Sequence, residues 1–161
     1  MPATDIILLR HATAERLRPG LSDTRRELTS EGRLEAERMS MLLAATVARN
    51  AVLCSSPAVR AMQTANALSR ATSLEINIEP RLGLDGNVDT VLDVIRELAS
   101  TPVIIVGHLP VIAQAAAMLL QMPVSSVAMP PGAAIGMQWH GRSGSTATLC
   151  WMVTPEIVVR L

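Results

Sequence analysis

Four aliphatic residues without a polar break, Ile6 to Leu9, are followed at once by Arg10-His11 and a turn-prone stretch of small and charged residues. An apolar run that is short and does not alternate predicts a strand covered on both faces. Ala51 to Cys54 and Thr101 to Val106 share this character, whereas Leu74 to Ile78 alternates apolar with polar residues and predicts a half-exposed or edge strand. Elsewhere the period lengthens. Leu34, Met39, Leu42, Leu43 and Val47 keep helical spacing from a start at Thr29 or Ser30, with Glu31 in the first turn and an end near Asn50. Ser55-Ser56-Pro57 predicts a second helix start, serine as cap and proline at the first helical position, burying Ala58, Ala61, Met62, Ala65 and Leu68. Val88 to Leu98 predicts a third helix, and a fourth runs from Pro110 through Ala113, Ala117 and Leu120 to about Gln121. Ala133 to Trp139 and Thr146 to Val153 predict strands joined across the turn-forming residues Gly141 to Ser145. Arg16 to Arg26 and Arg81 to Asn87 read as loops, the first expected to be solvated.

Strands alternating with helices and closed by a hairpin predict an α/β fold. The expected form is a three-layer α/β/α sandwich whose central sheet is mostly parallel and becomes mixed at one edge. With 161 residues and no repeat or linker, residues 1–161 are expected to form a single domain. The core must be aliphatic and sulfurous, because there is no Phe or Tyr, only Trp139 and Trp151, and nine Met fill the gaps. The 14 basic residues, all Arg, balance 14 acidic ones, and no basic block stands out, which argues against a nucleic-acid partner. The most apolar region, Val103 to Met122, is broken by His108, Pro110, Gln114 and Gln121, so it reads as strand plus helix and not as a membrane span. Cys54 and Cys150 lie in apolar runs and are expected to be buried thiols in a reducing compartment. With no signal segment at the start, a cytoplasmic location is expected. The sequence shows no metal-ligand cluster, and no metal or cofactor is expected.

Three strands end in residues suited to an anion: Arg10-His11 after the first, Ser55 through Arg60 after the second, and His108 after the fourth. In an open parallel sheet these ends share one side, where ligands bind. Helix starts at Pro57 and Pro110 would direct backbone N–H groups and a partial positive charge to the same place. Two Arg, two His and two helix N-termini together make an anion site, and phosphate is the commonest anion needing so many donors. His140, between Trp139 and a turn, has no such support and reads as structural or exposed.

The segments LLRHATAE, LTSEG, SSPAVRAMQTA and VGHLP resemble, in order and spacing, the R-H-G signature, the following helix start, the S-P-x-x-R-A-x-Q-T segment and the second histidine of the histidine phosphatases, which have the phosphoglycerate-mutase-like fold. The short length, the GHLP form and the late WMVTP are particularly similar to the compact SixA-type phosphohistidine phosphatases. The resemblance implies that His11 is the nucleophile that takes the phosphoryl group, with Arg10, Arg60 and His108 around its oxygens. Neutral imidazole attacks without a base, and nearby Arg charges help to keep it neutral. Short segments between motifs imply a domain without a cap insertion. An uncovered pocket would admit a phosphorylated side chain of another protein, the expected partner being a histidine phosphotransfer domain.

Two positions depart from the family pattern. Ala12 replaces the signature glycine, so either the backbone there avoids positive φ or the pocket is altered. Many relatives protonate the leaving oxygen with a carboxylic acid, and the loop RLGLDGNV offers only Asp85, which would need burial to hold a proton near neutral pH. A phosphohistidine substrate would tolerate a weak or missing acid. Three rival readings stand beside this one. Cys54 through Arg60 satisfies the C-x5-R spacing of cysteine-dependent phosphatases, although no glycine intervenes and Cys54 continues an apolar strand. The others are a non-catalytic phosphate-binding interaction module and a general phosphomonoesterase or phosphosugar phosphatase.

Overall fold

Six strands form one sheet in the computed structural model, which describes residues 4–98, 100–140 and 146–158. They are β1 (Thr4–Arg10), β2 (Val52–Ser55), β3 (Ile76–Ile78), β4 (Val103–Gly107), β5 (Ala134–Trp139) and β6 (Ala147–Val153), in spatial order β3-β2-β4-β1-β5-β6. The first four in that order run parallel, while β5 is antiparallel to β1 and β6 to β5. This is the α/β sandwich with a mixed edge that the sequence predicts. The turn at 141–145 lies outside the described residues.

The unbroken apolar run of β1 follows from its two covered faces. Ile6 and Leu8 enter a cluster with Val91, Leu92 and Ile95 of α3 (Val88–Glu97) and with Ala113 and Ala116 of α4 (Val111–Leu120). Ile7 and Leu9 point the other way, to Met39 and Leu43 of α1 (Ser30–Ala44) and Ala61 and Leu68 of α2 (Val59–Thr72). The alternation of side chains along a strand thus divides one run between two cores. A one-turn helix, α5 (Pro155–Val158), was not foreseen and packs against α1.

Several boundaries differ from the sequence reading. Helix α1 stops at Ala44, short of Asn50, and Leu34 is 51% exposed because the buried stripe runs instead through Gly32, Ala36, Met39, Ser40 and Leu43. Helix α2 begins at Val59, two residues past the expected Pro57, with Ala58 in the cap position. The delay has a backbone cause: Ser56 N–H donates to the Val106 carbonyl at 3.0 Å, so the chain still follows β4 at that point. Cys150 is exposed on β6, contrary to the expected burial. Among the described residues no helix is long and apolar enough to cross a membrane.

Candidate active site

Adjacent parallel strands β1 and β4 pair Arg10 with Gly107, so the next residue of each chain segment places His11 and His108 side by side past the sheet edge. Their ring centroids are 5.1 Å apart, tilted by 54°, and His11 N–H donates to the Gly107 carbonyl at 3.1 Å. Strand β2, on the other side of β4, delivers Ser56, and the first turn of α2 delivers Arg60. The structure therefore brings together Arg10, His11, Arg60 and His108.

His11 is buried, and its Nδ1 lies 2.8 Å from the Ala12 carbonyl. A carbonyl only accepts, so Nδ1 carries the proton and Nε2 keeps its lone pair. Arg60 Nε donates to that Nε2 at 3.1 Å. His108 Nε2 is 2.7 Å from the hydroxyl of fully buried Ser56, which also accepts from Ala58 N–H at 3.3 Å just before the helix, whose cap position is Ala58. Arg10 Nη1 donates to the Met129 carbonyl at 2.8 Å. Arg10 Nε and His108 Nδ1 are buried with no partner among the described residues. Such groups are costly to leave unpaired, and they fit an anion that would engage them.

The remaining motif residues build the walls. Thr64 Oγ1 accepts from Ala12 N–H at 3.1 Å and donates to the Arg60 carbonyl at 2.8 Å, while Gln63 Oε1 accepts from Leu28 N–H at 2.7 Å. Glu35 accepts from both the backbone N–H and the hydroxyl of Thr13, at 2.8 and 2.9 Å. Gly32 is required at the start of α1, since a Cβ there would lie 1.9 Å from the Thr13 carbonyl oxygen. Ala12 does not have positive φ, and its fully buried methyl clusters with Leu28, Ala36 and Ala67. The first of the two alternatives for the missing signature glycine is the one the backbone adopts.

The loop expected to be merely solvated contributes to the site. Asp23, in a short 3-10 turn (Asp23–Arg25), accepts from Arg60 Nη1 through its carbonyl at 2.5 Å, and its Oδ2 lies 3.5 Å from Arg60 Nη2. Arg26 Nη1 holds Asp23 Oδ1 at 2.8 Å and is itself anchored by Nε donation to the Glu15 carbonyl at 2.6 Å. The D-x-x-R spacing is the sequence signal that was available for this pair. Asp85 is exposed in a turn and is not among the residues lining the small cavity between 81–86 and 107–112 that His108 adjoins. The burial that a proton-holding carboxyl needs is not found there. His140 is exposed at the opposite end of β1, bonded to Thr148.

Burial, reinforced by the charges of Arg60 and Arg10, pushes His11 down to about 3 against the pull of its Ala12 bond, and burial with Arg60 pushes His108 down to about 4. An unfolded histidine takes up its proton near pH 6.5, so below that value the unfolded chain binds more protons than the fold. Stability from these two rings is thus fully present above about pH 6.5 and is expected to fall as the pH drops, towards about 4 for His108 and about 3 for His11. Imidazole NMR shifts should show both rings neutral at pH 5, and an inflection near 6.5 at either would contradict this. Burial lowers the Arg10 and Arg60 pKa values as well, opposed by Glu35 and Asp23 respectively. Cys54 is 5% exposed within the apolar cluster of Ile6 and Leu8, and burial pushes its thiol up to about 11, which suits an inert core residue and not a nucleophile. Among the described residues no group of three or more His, Cys, Asp or Glu could hold a metal ion.

The model of the histidine phosphatase superfamily (branch 1) matches residues 6–83, the part of the chain that supplies Arg10, His11 and Arg60. Together with the likeness to solved phosphatases, this match supports a histidine-dependent phosphatase of this superfamily. Among solved structures it is similar to a protein assigned as the phosphohistidine phosphatase SixA of Agrobacterium tumefaciens, with 25% identity, a TM-score of 0.84, and coverage of 96% of this chain and 99% of that one. A protein histidine phosphatase SixA complexed with tungstate gives 22% identity and a TM-score of 0.83 over the same shares. A mycobacterial glucosyl-3-phosphoglycerate phosphatase gives 20% and 0.72 over 92% of this chain and 97% of its own. At these identities the last two speak for the fold alone. No curated protein sequence matches the chain.

Proposed function

We propose that the protein hydrolyses phosphohistidine on a partner protein through a phosphohistidine intermediate on His11. The observation that carries this reading is the His11 Nδ1–H bond to the Ala12 carbonyl, which fixes the ring and leaves Nε2 unprotonated, its lone pair accepting from Arg60 Nε until phosphate takes that donor. Nε2 attacks phosphorus, the substrate P–N bond breaks, and its electron pair goes to the leaving nitrogen. Because Nδ1 keeps its proton, phosphorylated His11 is a phosphoimidazolium. Water then attacks phosphorus, the P–N pair returns to Nε2, and the protons of the water leave with dihydrogen phosphate. Neither step needs a base on His11. Arg10, Arg60 and His108 spread the charge of the equatorial oxygens, the main demand of phosphoryl transfer. Arg10 Nε, and His108 Nδ1 with the Ser56 hydroxyl donating to Nε2, are the donors available for those oxygens. The reading places no proton on Asp85 and does not depend on it.

Residues 1–161 are read as one domain without a cap over this pocket. The near-complete mutual coverage with the SixA structures supports that reading, and an open pocket suits the side chain of a histidine phosphotransfer domain. Two free thiols favour the cytoplasm. Incubation with phosphorylated phosphotransfer protein and with small phosphate esters, followed by phosphate release and trapping of the phosphoenzyme, tests the proposal. Release should be fastest from the phosphoprotein, with an acid-labile, alkali-stable phosphate on His11. Faster release from phosphosugars would favour a general phosphomonoesterase. Binding without release would favour a phosphate-binding module, and a phosphate trapped elsewhere would sink the mechanism.

A further inference from the structure

Resting on that reading, we infer that Glu35 is a positioning residue for the nucleophile: its carboxylate holds the Ala12–Thr13 peptide in the plane that keeps the Ala12 carbonyl on His11 Nδ1. The two contacts belong to one peptide unit. Its C=O, from Ala12, accepts from His11 Nδ1 at 2.8 Å, and its N–H, from Thr13, donates to Glu35 Oε2 at 2.8 Å. A trans peptide is planar with these two groups pointing opposite ways, so an anchor on the N–H also aims the carbonyl. The peptides on either side are fastened by other residues. In the one before, Ala12 N–H donates to Thr64 Oγ1 at 3.1 Å and the His11 carbonyl accepts from Gly132 N–H at 3.1 Å. In the one after, the Thr13 carbonyl accepts from Thr29 N–H at 3.0 Å. For the peptide between them, Glu35 is the one anchor besides His11 itself among the described residues.

Glu35 is equipped for this task. It projects from the second turn of α1 and also accepts from the Thr13 hydroxyl through Oε1 at 2.9 Å, so both oxygens are engaged and the carboxylate has a fixed orientation. The bond it supports matters most after phosphoryl transfer. Phosphorylated His11 is then a positive ring that must keep its Nδ1 proton, because a ring that loses it is a poorer leaving group when water attacks phosphorus. A hydrogen bond to the charged form favours that form. The Ala12 carbonyl is the group that raises the His11 pKa against burial, His108, Arg60 and Arg10, the last three being the charged and titratable groups that face the ring. Glu35 also favours the charge of Arg10, so a loss on removing Glu35 has two sources to separate.

Three variants of the full chain separate them, with a synthetic phosphohistidine peptide as substrate. Glu35→Ala removes the acceptor and should lower kcat on the order of 10- to 100-fold with KM little changed, as a small misplacement of a reacting group does. The falling alkaline limb of phosphoenzyme hydrolysis, where the Nδ1 proton is lost, should move down by about one pH unit. Glu35→Gln offers an amide oxygen to Thr13 N–H without the charge, and should recover kcat to within about threefold of wild type. Glu35→Asp keeps the charge near Arg10 but falls one methylene short, so it should resemble Glu35→Ala and stands in for it if that variant does not fold. Glu35→Gln as slow as Glu35→Ala would assign the loss to the charge on Arg10 and overturn the inference. Wild-type rates in Glu35→Asp, a loss confined to KM, or an unmoved alkaline limb would overturn it equally. Failure of the underlying reading is visible in wild type alone, as a phosphohistidine peptide left intact or a phosphate trapped on a residue other than His11.

Discussion

His11→Ala is expected to reduce turnover by about four orders of magnitude or more, and to remove the trapped phosphoenzyme, while leaving the fold intact. The size of the effect follows from the absence of a substitute. His108, the other imidazole of the site, has its Nε2 committed to Ser56, and the Cys54 thiol is buried and protonated. Removing the ring costs the fold little, since among the described residues its polar contacts are one bond to the adjacent carbonyl and one from Arg60. Single-turnover phosphate release, with circular dichroism as the folding control, provides the measurement. Residual turnover above a few per cent would place the nucleophile elsewhere.

Arg60→Lys is expected to lower kcat by about 10²- to 10³-fold although the charge is kept. The guanidinium holds His11 Nε2 with Nε and the Asp23 carbonyl with Nη1, and no ammonium can satisfy both while offering a flat fork to phosphoryl oxygens. The His11 pKa should stay depressed in this variant, because burial is its largest cause. The outcome separates fork geometry from bare charge: a loss below fivefold would mean that charge alone suffices. Stopped-flow phosphate release and an imidazole NMR titration of the same variant give both readings.

Much of the site was legible because short local patterns carry it. An apolar run ending in Arg10-His11 requires a covered strand whose polar end emerges at the sheet edge, and the same logic located His108 after β4. Arg60 was marked by closing the Ser55–Arg60 stretch after the second strand and by the resemblance of SSPAVRAMQTA to the family segment. What stayed hidden depends on contacts between distant residues. Ser56 read as a helix cap, and beside its local bond from Ala58 N–H its shorter one is to His108, 52 residues away. Asp23 looked solvated, and its tie to Arg60 spans 37 residues. Glu35 and the Met129 carbonyl gave no local sign of their roles. Leu34 misled because small residues, Gly32 and Ala36, were needed where α1 approaches the loop after β1.

The pairing of Arg10 with Gly107 has a consequence for how this site can diversify. Neighbouring strands stand roughly 4.8 Å apart in any sheet, and the 5.1 Å between the two imidazoles is close to that repeat. The ladder sets where the two histidines leave the sheet, while the Ala12 carbonyl and the Ser56 hydroxyl set how their rings face. Substitutions that leave this ladder intact have their freest scope at the margins, above all in the Arg16–Arg26 segment that brings Asp23 to Arg60.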